Sequence, residues 1–215
     1  MPTVILSFFF GTLTSILAAT FFEWLRRPTL TIVVCSPDEK EYPAGHPIAQ
    51  RARFLNVRME NRKPRRWLRW LSRHAALVCE ADVNFLHIDD QRDVFGRPMP
   101  GRWSGWPEPL TSVGRIGDQR IELINPYFMS PQFRRIDIYS GAPGSLDIAV
   151  RFDDDAECYG WTTENYNRGW KNADWRLPAG RYLVRVNVRA DAAQASADFL
   201  LVNDTAIGNF RLEPA

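Results

Sequence analysis

The chain has 215 residues, of which 45% are apolar and 24% charged, with a formal net charge of +2. That is too apolar for a disordered chain and too nearly neutral for a protein that binds nucleic acid through bulk charge. Three cysteines, Cys35, Cys79 and Cys158, are an odd number at no metal-ligand spacing, so neither a disulfide framework nor a zinc site is indicated.

Val4 to Phe22 contains no charged side chain, and Arg26 and Arg27 follow after Glu23-Trp24-Leu25. A helix needs roughly 20 apolar residues to cross a hydrocarbon core of about 30 Å, so this run predicts a transmembrane anchor over 1–27, with 28–215 as one folded domain. Thr12, Thr14 and Thr20 are tolerable there because their hydroxyls can bond back to helix carbonyls. Trp24 falls at headgroup level, and Pro28 ends the helix. The run has no basic segment before it, exceeds a signal-peptide core and lacks a small-x-small cleavage site, all of which favour an anchor over a cleaved signal. The arginines after the run predict an outside N-terminus and a cytoplasmic body, so the expected location is the cell membrane. Ser7, Gly11, Ser15 and Ala19 recur every four residues, which is either the pattern by which membrane helices pair, giving a homo-oligomer through the anchor, or a strip of the kind that arises by chance in apolar helices rich in small residues.

Twelve Lys or Arg oppose four acids from Arg26 to Ala75, whereas fifteen oppose twenty from Ala76 to Ala215. The basic part lies next to the anchor, where anionic lipid attracts it. Within it, a short helix over 64–74 would place Trp67, Leu68, Trp70 and Leu71 on one face and Arg65, Arg66, Arg69 and Arg73 on the other, the amphipathic layout of a helix lying on a bilayer. The competing role for this segment is a connector whose Trp face caps the sandwich. Nucleic acid is the weakest of the three uses, because one basic stretch on an acidic domain is a poor footprint.

Beyond the anchor the apolar period is two. Runs at Thr29 to Ser36, Ala52 to Asn61, Ala76 to Ile88, Arg134 to Ser140, Ser145 to Phe152, Arg181 to Arg189, Ala197 to Asn203 and Asn209 to Leu212 predict about eight strands, an all-β sandwich of two antiparallel sheets. In the cleanest alternation, Tyr182, Val184, Val186 and Val188 point inward and Arg185, Asn187 and Arg189 outward, with Leu183 as the exception. Leu177-Pro178-Ala179-Gly180-Arg181-Tyr182 resembles the turn and Tyr that open a late strand in immunoglobulin-like sandwiches. Phe54 to Asn61 followed by Ala76 to Phe85 resembles the early strand pair of membrane-tethered bacterial domains of that kind. The resemblance implies an immunoglobulin-like fold, a Tyr182 hydroxyl bonded to upstream backbone and a recognition role. It departs from antibody-type domains in lacking a Cys–Trp–Cys arrangement.

Two long aromatic stretches separate the strands. Phe95 to Leu110 carries Trp103 and Trp106, and Cys158 to Trp175 carries Tyr159, Trp161, Tyr166 and Trp170. Clustered rings among polar neighbours form either a ligand pocket or a second core sealing the sandwich. Chemistry is otherwise sparse: Asp153, Asp154, Asp155 and Glu157 lack the spacing of a calcium loop, and His46, His74 and His87 stand apart from one another. No enzyme, cofactor or metal is indicated. The expected function is recognition of a protein partner or small ligand at the cytoplasmic membrane surface, or else a sensor-effector in which ligand binding alters anchor-helix association and perturbs the membrane.

Overall fold

The computed structural model describes residues 2–42, 51–64, 66–68, 70–116, 119–153, 155–204 and 206–215, with side chains described from Phe10 onward except at 67 and 110–123. Helix α1 (Pro2–Arg26) is followed by strands β1 (Leu30–Val34), β2 (Asp38–Glu41), β3 (Arg51–Asn61), β4 (Ala76–His87), β5 (Met99–Pro100), β6 (Arg102–Trp103), β7 (Leu110–Ile116) and β8 (Gln119–Ile124). Then come β9 (Ile136–Ile138), β10 (Gly144–Phe152), β11 (Cys158–Gly160), the one-turn helix α2 (Glu164–Asn167), β12 (Arg176–Leu177), β13 (Gly180–Ala190), β14 (Ala193–Asn203) and β15 (Arg211–Pro214).

Two antiparallel sheets make a β-sandwich. One runs β1-β3-β10-β11-β12, with β2 also on β3 and β6 also on β10; the other runs β15-β14-β13-β4-β5, with β9 also on β4. The alternation read for β13 holds: Tyr182, Val184, Val186 and Val188 are buried between the sheets with Val83, Phe85, Leu146 and Ile148. Each of the eight apolar runs contains a strand. The β7–β8 hairpin, charged β2 and the short strands β5, β6, β11 and β12 are additions to that set.

Two backbone features position the site. At Gly101 the chain leaves β5 in one sheet and enters β6 in the other, and a Cβ there would meet Ala81 Cβ at 2.7 Å and Leu146 Cδ1 at 2.8 Å, so only glycine fits this crossover. In β10 a bulge lies between Asp147 and Ala149. The extra residue reverses the alternation, so Leu146, Ile148 and Ala149 join the main core while Val150 and Phe152 turn to a second core on the outer face of the sheet.

Helix α1 extends over 25 residues, and Thr14 Oγ1 and Thr20 Oγ1 donate to Phe10 O and Ile16 O at 2.7 and 2.8 Å, as the sequence suggested. Among the described residues no helix is long and apolar enough to cross a membrane. The segment 64–74 is described in part. Among its described residues helical geometry is confined to a 3-10 turn at Arg66–Leu68, and Leu68 and Leu71 are both buried. Leu71 N donates to Leu68 O at 2.8 Å, the chain turns there, and Trp70 is left 69% exposed. Arg65 and Arg69 lie outside the described residues, as does the Trp67 side chain, so the expected two-faced arrangement of these residues falls outside the description.

Candidate functional site

The aromatic stretches resolve into core. Tyr159, Trp161, Tyr166 and Trp170 are all buried and pack with Ala52, Phe54, Val150 and Phe152 as the second core. Trp161, Tyr166 and Trp170 stand with ring centroids 5.1 to 5.9 Å apart in edge and tilted contacts, close to the favoured aromatic geometry. Asn165 organises this loop while fully buried: its Oδ1 accepts from Thr162 N and Oγ1, both at 3.0 Å, and its Nδ2 donates to Gly160 O at 3.0 Å and Trp170 O at 3.2 Å. Trp103 belongs to the main core and donates Nε1 to Arg134 O at 3.0 Å; half-buried Trp106 packs edge-on against Phe133 at 4.8 Å. The six rings therefore form no pocket of their own, and two of them, Trp106 and Trp161, border a cleft.

That cleft encloses about 420 Å³ on the outer face of the first sheet. Its floor is an ion pair between Arg102 on β6 and Asp147 on β10, which are register partners across the two strands and are buried. Asp147 Oδ2 accepts from Arg102 Nη1, while Oδ1 accepts from the Ser104 hydroxyl and, with the amide oriented by its acceptors, from Asn56 Nδ2 at 3.0 Å. Arg102 Nη2 donates to Trp106 O at 3.2 Å and the guanidinium lies 5.6 Å from the Tyr166 ring. Burial pushes the Asp147 carboxyl up from the usual carboxylate range, against the pull of Arg102 and Ser104. Burial also pushes the Tyr166 phenol well up, which keeps it neutral beside the pair. At the mouth Lys40 Nζ stands 4.9 Å over the Phe54 ring and 3.2 Å from Glu108 Oε1. A polar floor between aromatic walls suits a small polar ligand or one inserted side chain.

A second assembly surrounds the base of α1. Asn61 is its hub: its Oδ1 accepts from Thr29 N at 3.2 Å and its Nδ2 donates to His74 O at 2.8 Å and Ile138 O at 3.3 Å. His74 N donates to Arg26 O at 2.8 Å, His74 Nε2 lies 3.2 Å from Glu23 Oε2, and Arg26 Nε donates to Ser72 O at 3.3 Å. Trp70 meets Phe22 edge-on at 6.1 Å. Trp24, Trp70, Leu77, Val78 and Tyr139 are exposed near this junction. Val78, held at φ 54° with its N–H bonded to Asp137 Oδ1 at 2.9 Å, is a β-branched residue in the left-handed region, where backbone strain is expected.

The remaining sequence candidates are occupied structurally. Asp153 pairs with Arg51, Asp155 with Lys171 and Glu157 with Arg176, while Asp154 lies outside the described residues. No group of His, Cys, Asp and Glu able to hold a metal occurs among the described residues. His87 leans on the Tyr182 ring and His46 lies outside the described residues. Cys79 and Cys158 are buried, and burial raises both thiols, Cys79 to about 11. On α1, Gly11, Ser15 and Ala19 face open space, with Ser15 Oγ donating to Gly11 O at 2.8 Å, and the Ser7 side chain lies outside the described set.

Arg102, Asp147 and Asn61 escaped the sequence reading. The available signal was a charged residue inside the apolar run Ser145 to Phe152 and an Asn closing the run Ala52 to Asn61. Comparison with protein-family models, with curated proteins and with solved structures returned no match.

Proposed function

We propose that this chain is a membrane-tethered, immunoglobulin-like recognition domain without catalytic activity, held by α1 with its body on the cytoplasmic side and receiving a small polar ligand or a partner's side chain in the Arg102–Asp147 cleft. The observation that carries the tether is the state of α1: Phe10, Leu13, Ile16, Leu17, Phe21, Phe22 and Trp24 are all more than 40% exposed. In water such a helix is untenable, and a bilayer is the solvent that covers every face of it. The 25 residues of α1 rise about 37 Å against a core of about 30 Å. The described residues alone do not make a span, and the tether takes its remaining apolarity from the sequence of residues 4–9, whose side chains lie outside the described set. Trp24, Trp70 and the arginines beside them stand where the headgroups would lie. The hydroxyl of Tyr182, bonded to Pro178 O at 3.1 Å, supports the immunoglobulin-like reading of the sandwich.

The cleft opens beside Asn56, five residues along β3 from Asn61, so it stands roughly 17 Å from the base of α1 and within reach of a partner on the same membrane. The contacts Glu23–His74 and Arg26–Ser72 favour a second reading, a sensor-effector, because they join the helix end to the sandwich and would transmit a change in one to the other. Gly11→Leu separates the two: a tether keeps ligand binding and downstream function, whereas an effector working through helix pairing loses the latter.

The test is alkaline carbonate extraction of membranes carrying the full chain, together with a thermal-shift screen of polar metabolites on the detergent-solubilised protein. Retention in the membrane is expected, and release into the supernatant overturns the tether. A compound that raises Tm in the parent and not in Lys40→Ala or Ser104→Ala identifies the cleft's ligand; equal shifts in all three place binding elsewhere.

A further inference from the structure

Described residues between Lys63 and Arg73 meet Tyr139 and Ser140 beside the end of α1 and enclose a pocket of about 590 Å³ whose polar lining is Lys63, Arg66, Ser72, Arg73, Tyr139 and Ser140. Three cations and three hydroxyls face this space, and among the described residues neither Lys63 nor Arg66 has a carboxylate within ion-pair distance. Arg73 is fixed from behind, with Nη1 donating to Arg27 O at 2.8 Å and to the Thr29 hydroxyl, while its buried Nε has no partner. Lys63 is placed by glycine: Gly141 has φ +86°, and a Cβ there would stand 2.6 Å from Lys63 Cε, so the bare turn is what lets the lysine stem lie across it. Unpaired cations held together at the rim of a pocket with hydroxyl donors are the recognition chemistry of a phosphate group.

We propose that this pocket binds the phosphate of an anionic lipid headgroup. The lipid source follows from position, a step that rests on α1 being the membrane tether. Arg73 bonds the carbonyl of Arg27 and His74 bonds that of Arg26, so the pocket stands within one helical turn of the point where α1 leaves the bilayer. Exposed Trp70 and Tyr139 flank it, with the apolar body and polar tip that suit the interfacial layer. Soluble phosphate shares the chemistry and is the alternative source.

The chain has three lysines, Lys40, Lys63 and Lys171, which makes amine footprinting selective. The full chain is placed in nanodiscs of phosphatidylcholine alone or of phosphatidylcholine with phosphatidylglycerol, and acetylation of each lysine is followed by mass spectrometry. Slower labelling of Lys63 in the anionic discs, with Lys40 and Lys171 unchanged, is the expected result. Uniform slowing of all three lysines, or no slowing of Lys63, overturns the pocket. Arg66→Gln, an exposed position, should weaken association with anionic vesicles about fivefold; a loss matched by Arg181→Gln, exposed and remote in sequence, reduces the effect to bulk charge and also overturns it. Inorganic phosphate added to the neutral discs should leave Lys63 labelling unchanged, and protection by it reassigns the pocket to a soluble anion. Retention of the chain in neutral discs reports the tether alone. If the chain does not enter them the tether fails, and Lys63 protection by short-chain phosphatidylglycerol monomers then decides the pocket independently.

Discussion

Arg102 and Asp147 stand opposite each other on two antiparallel strands and close an ion pair whose side chains are only 8% and 6% exposed. Removing a charge from water costs several kcal/mol, and the fold offsets that cost by giving Asp147 three donors: Arg102, Ser104 and Asn56. Asp147→Ala should therefore destabilise the domain by about 3–5 kcal/mol, since it leaves the guanidinium buried without its partner. The double variant Arg102→Met, Asp147→Leu should recover most of that loss, which separates a ligand-binding role from a stabilising one. Urea denaturation of the three proteins measures it; a double variant no more stable than Asp147→Ala alone would mean the pair is needed for folding itself.

Tyr182→Phe removes one hydrogen bond, Oη to Pro178 O, at a corner that Asn203 also holds through Nδ2 donated to the same carbonyl at 3.1 Å. Burial raises the phenol, so the hydroxyl stays protonated and donating through the neutral range. The expected cost is about 1 kcal/mol in equilibrium unfolding, with no change in the denaturant dependence. Unchanged stability would show that Asn203 satisfies the Pro178 carbonyl alone.

Much of the sandwich was legible because period-two burial is a local property of sequence: Val184, Val186 and Val188 announce their face without reference to any other strand. Strands β2 and β12 were not, for opposite reasons. Asp38–Glu41 is all charge and sits exposed at an edge, where packing asks nothing of its side chains, and Arg176–Leu177 is too short to show a period. The bulge at Ile148 hides a reversal of faces that no count of alternation reveals, and it is what turns Val150 and Phe152 to the second core. The basic stretch was readable as charge but not as shape. Leu68 and Leu71 are three apart and suit a helix, and both are buried, yet the described helical geometry ends at Leu68. The pocket this stretch lines also takes in Tyr139 and Ser140, from a segment some seventy positions away, a meeting that only the fold specifies.

Asp198 supplies the pH dependence. Two hydrogen bonds from Arg185, at 2.8 and 2.9 Å, hold its carboxyl below the ordinary aspartate range. The unfolded chain takes up this proton at higher pH than the native one, so the contribution is fully present above the unfolded pKa and is lost as pH falls through the depressed native value. Both side chains are more than a third exposed, so solvent screening limits the pair to below about 1 kcal/mol. Unfolding free energies measured from neutral to acid pH should fall less steeply for Asp198→Asn than for the parent. Parallel curves would show that the pair adds nothing to acid sensitivity.

Asn61 joins three segments at one buried side chain: Thr29 after the helix, His74 at the turn and Ile138 on β9. It is 2% exposed, so Asn61→Leu keeps the volume while leaving one N–H and two carbonyls without this partner. Each unsatisfied buried group costs about 1–3 kcal/mol, and because water can reach the exposed His74 side of the junction the total should be nearer 3 than the full sum. The damage should be local before it is global. Amide exchange at Thr29, whose proton Asn61 accepts, and at Arg62, which donates to Thr29 O at 2.9 Å, should accelerate while the β13–β14 ladder stays protected. The same variant loosens the seat of His74 against Arg26, so labelling of Lys63 should lose its dependence on anionic lipid even though the lysine itself is intact. Uniform acceleration across both sheets would instead make Asn61 an ordinary element of core stability, with no special part in holding the helix end to the domain.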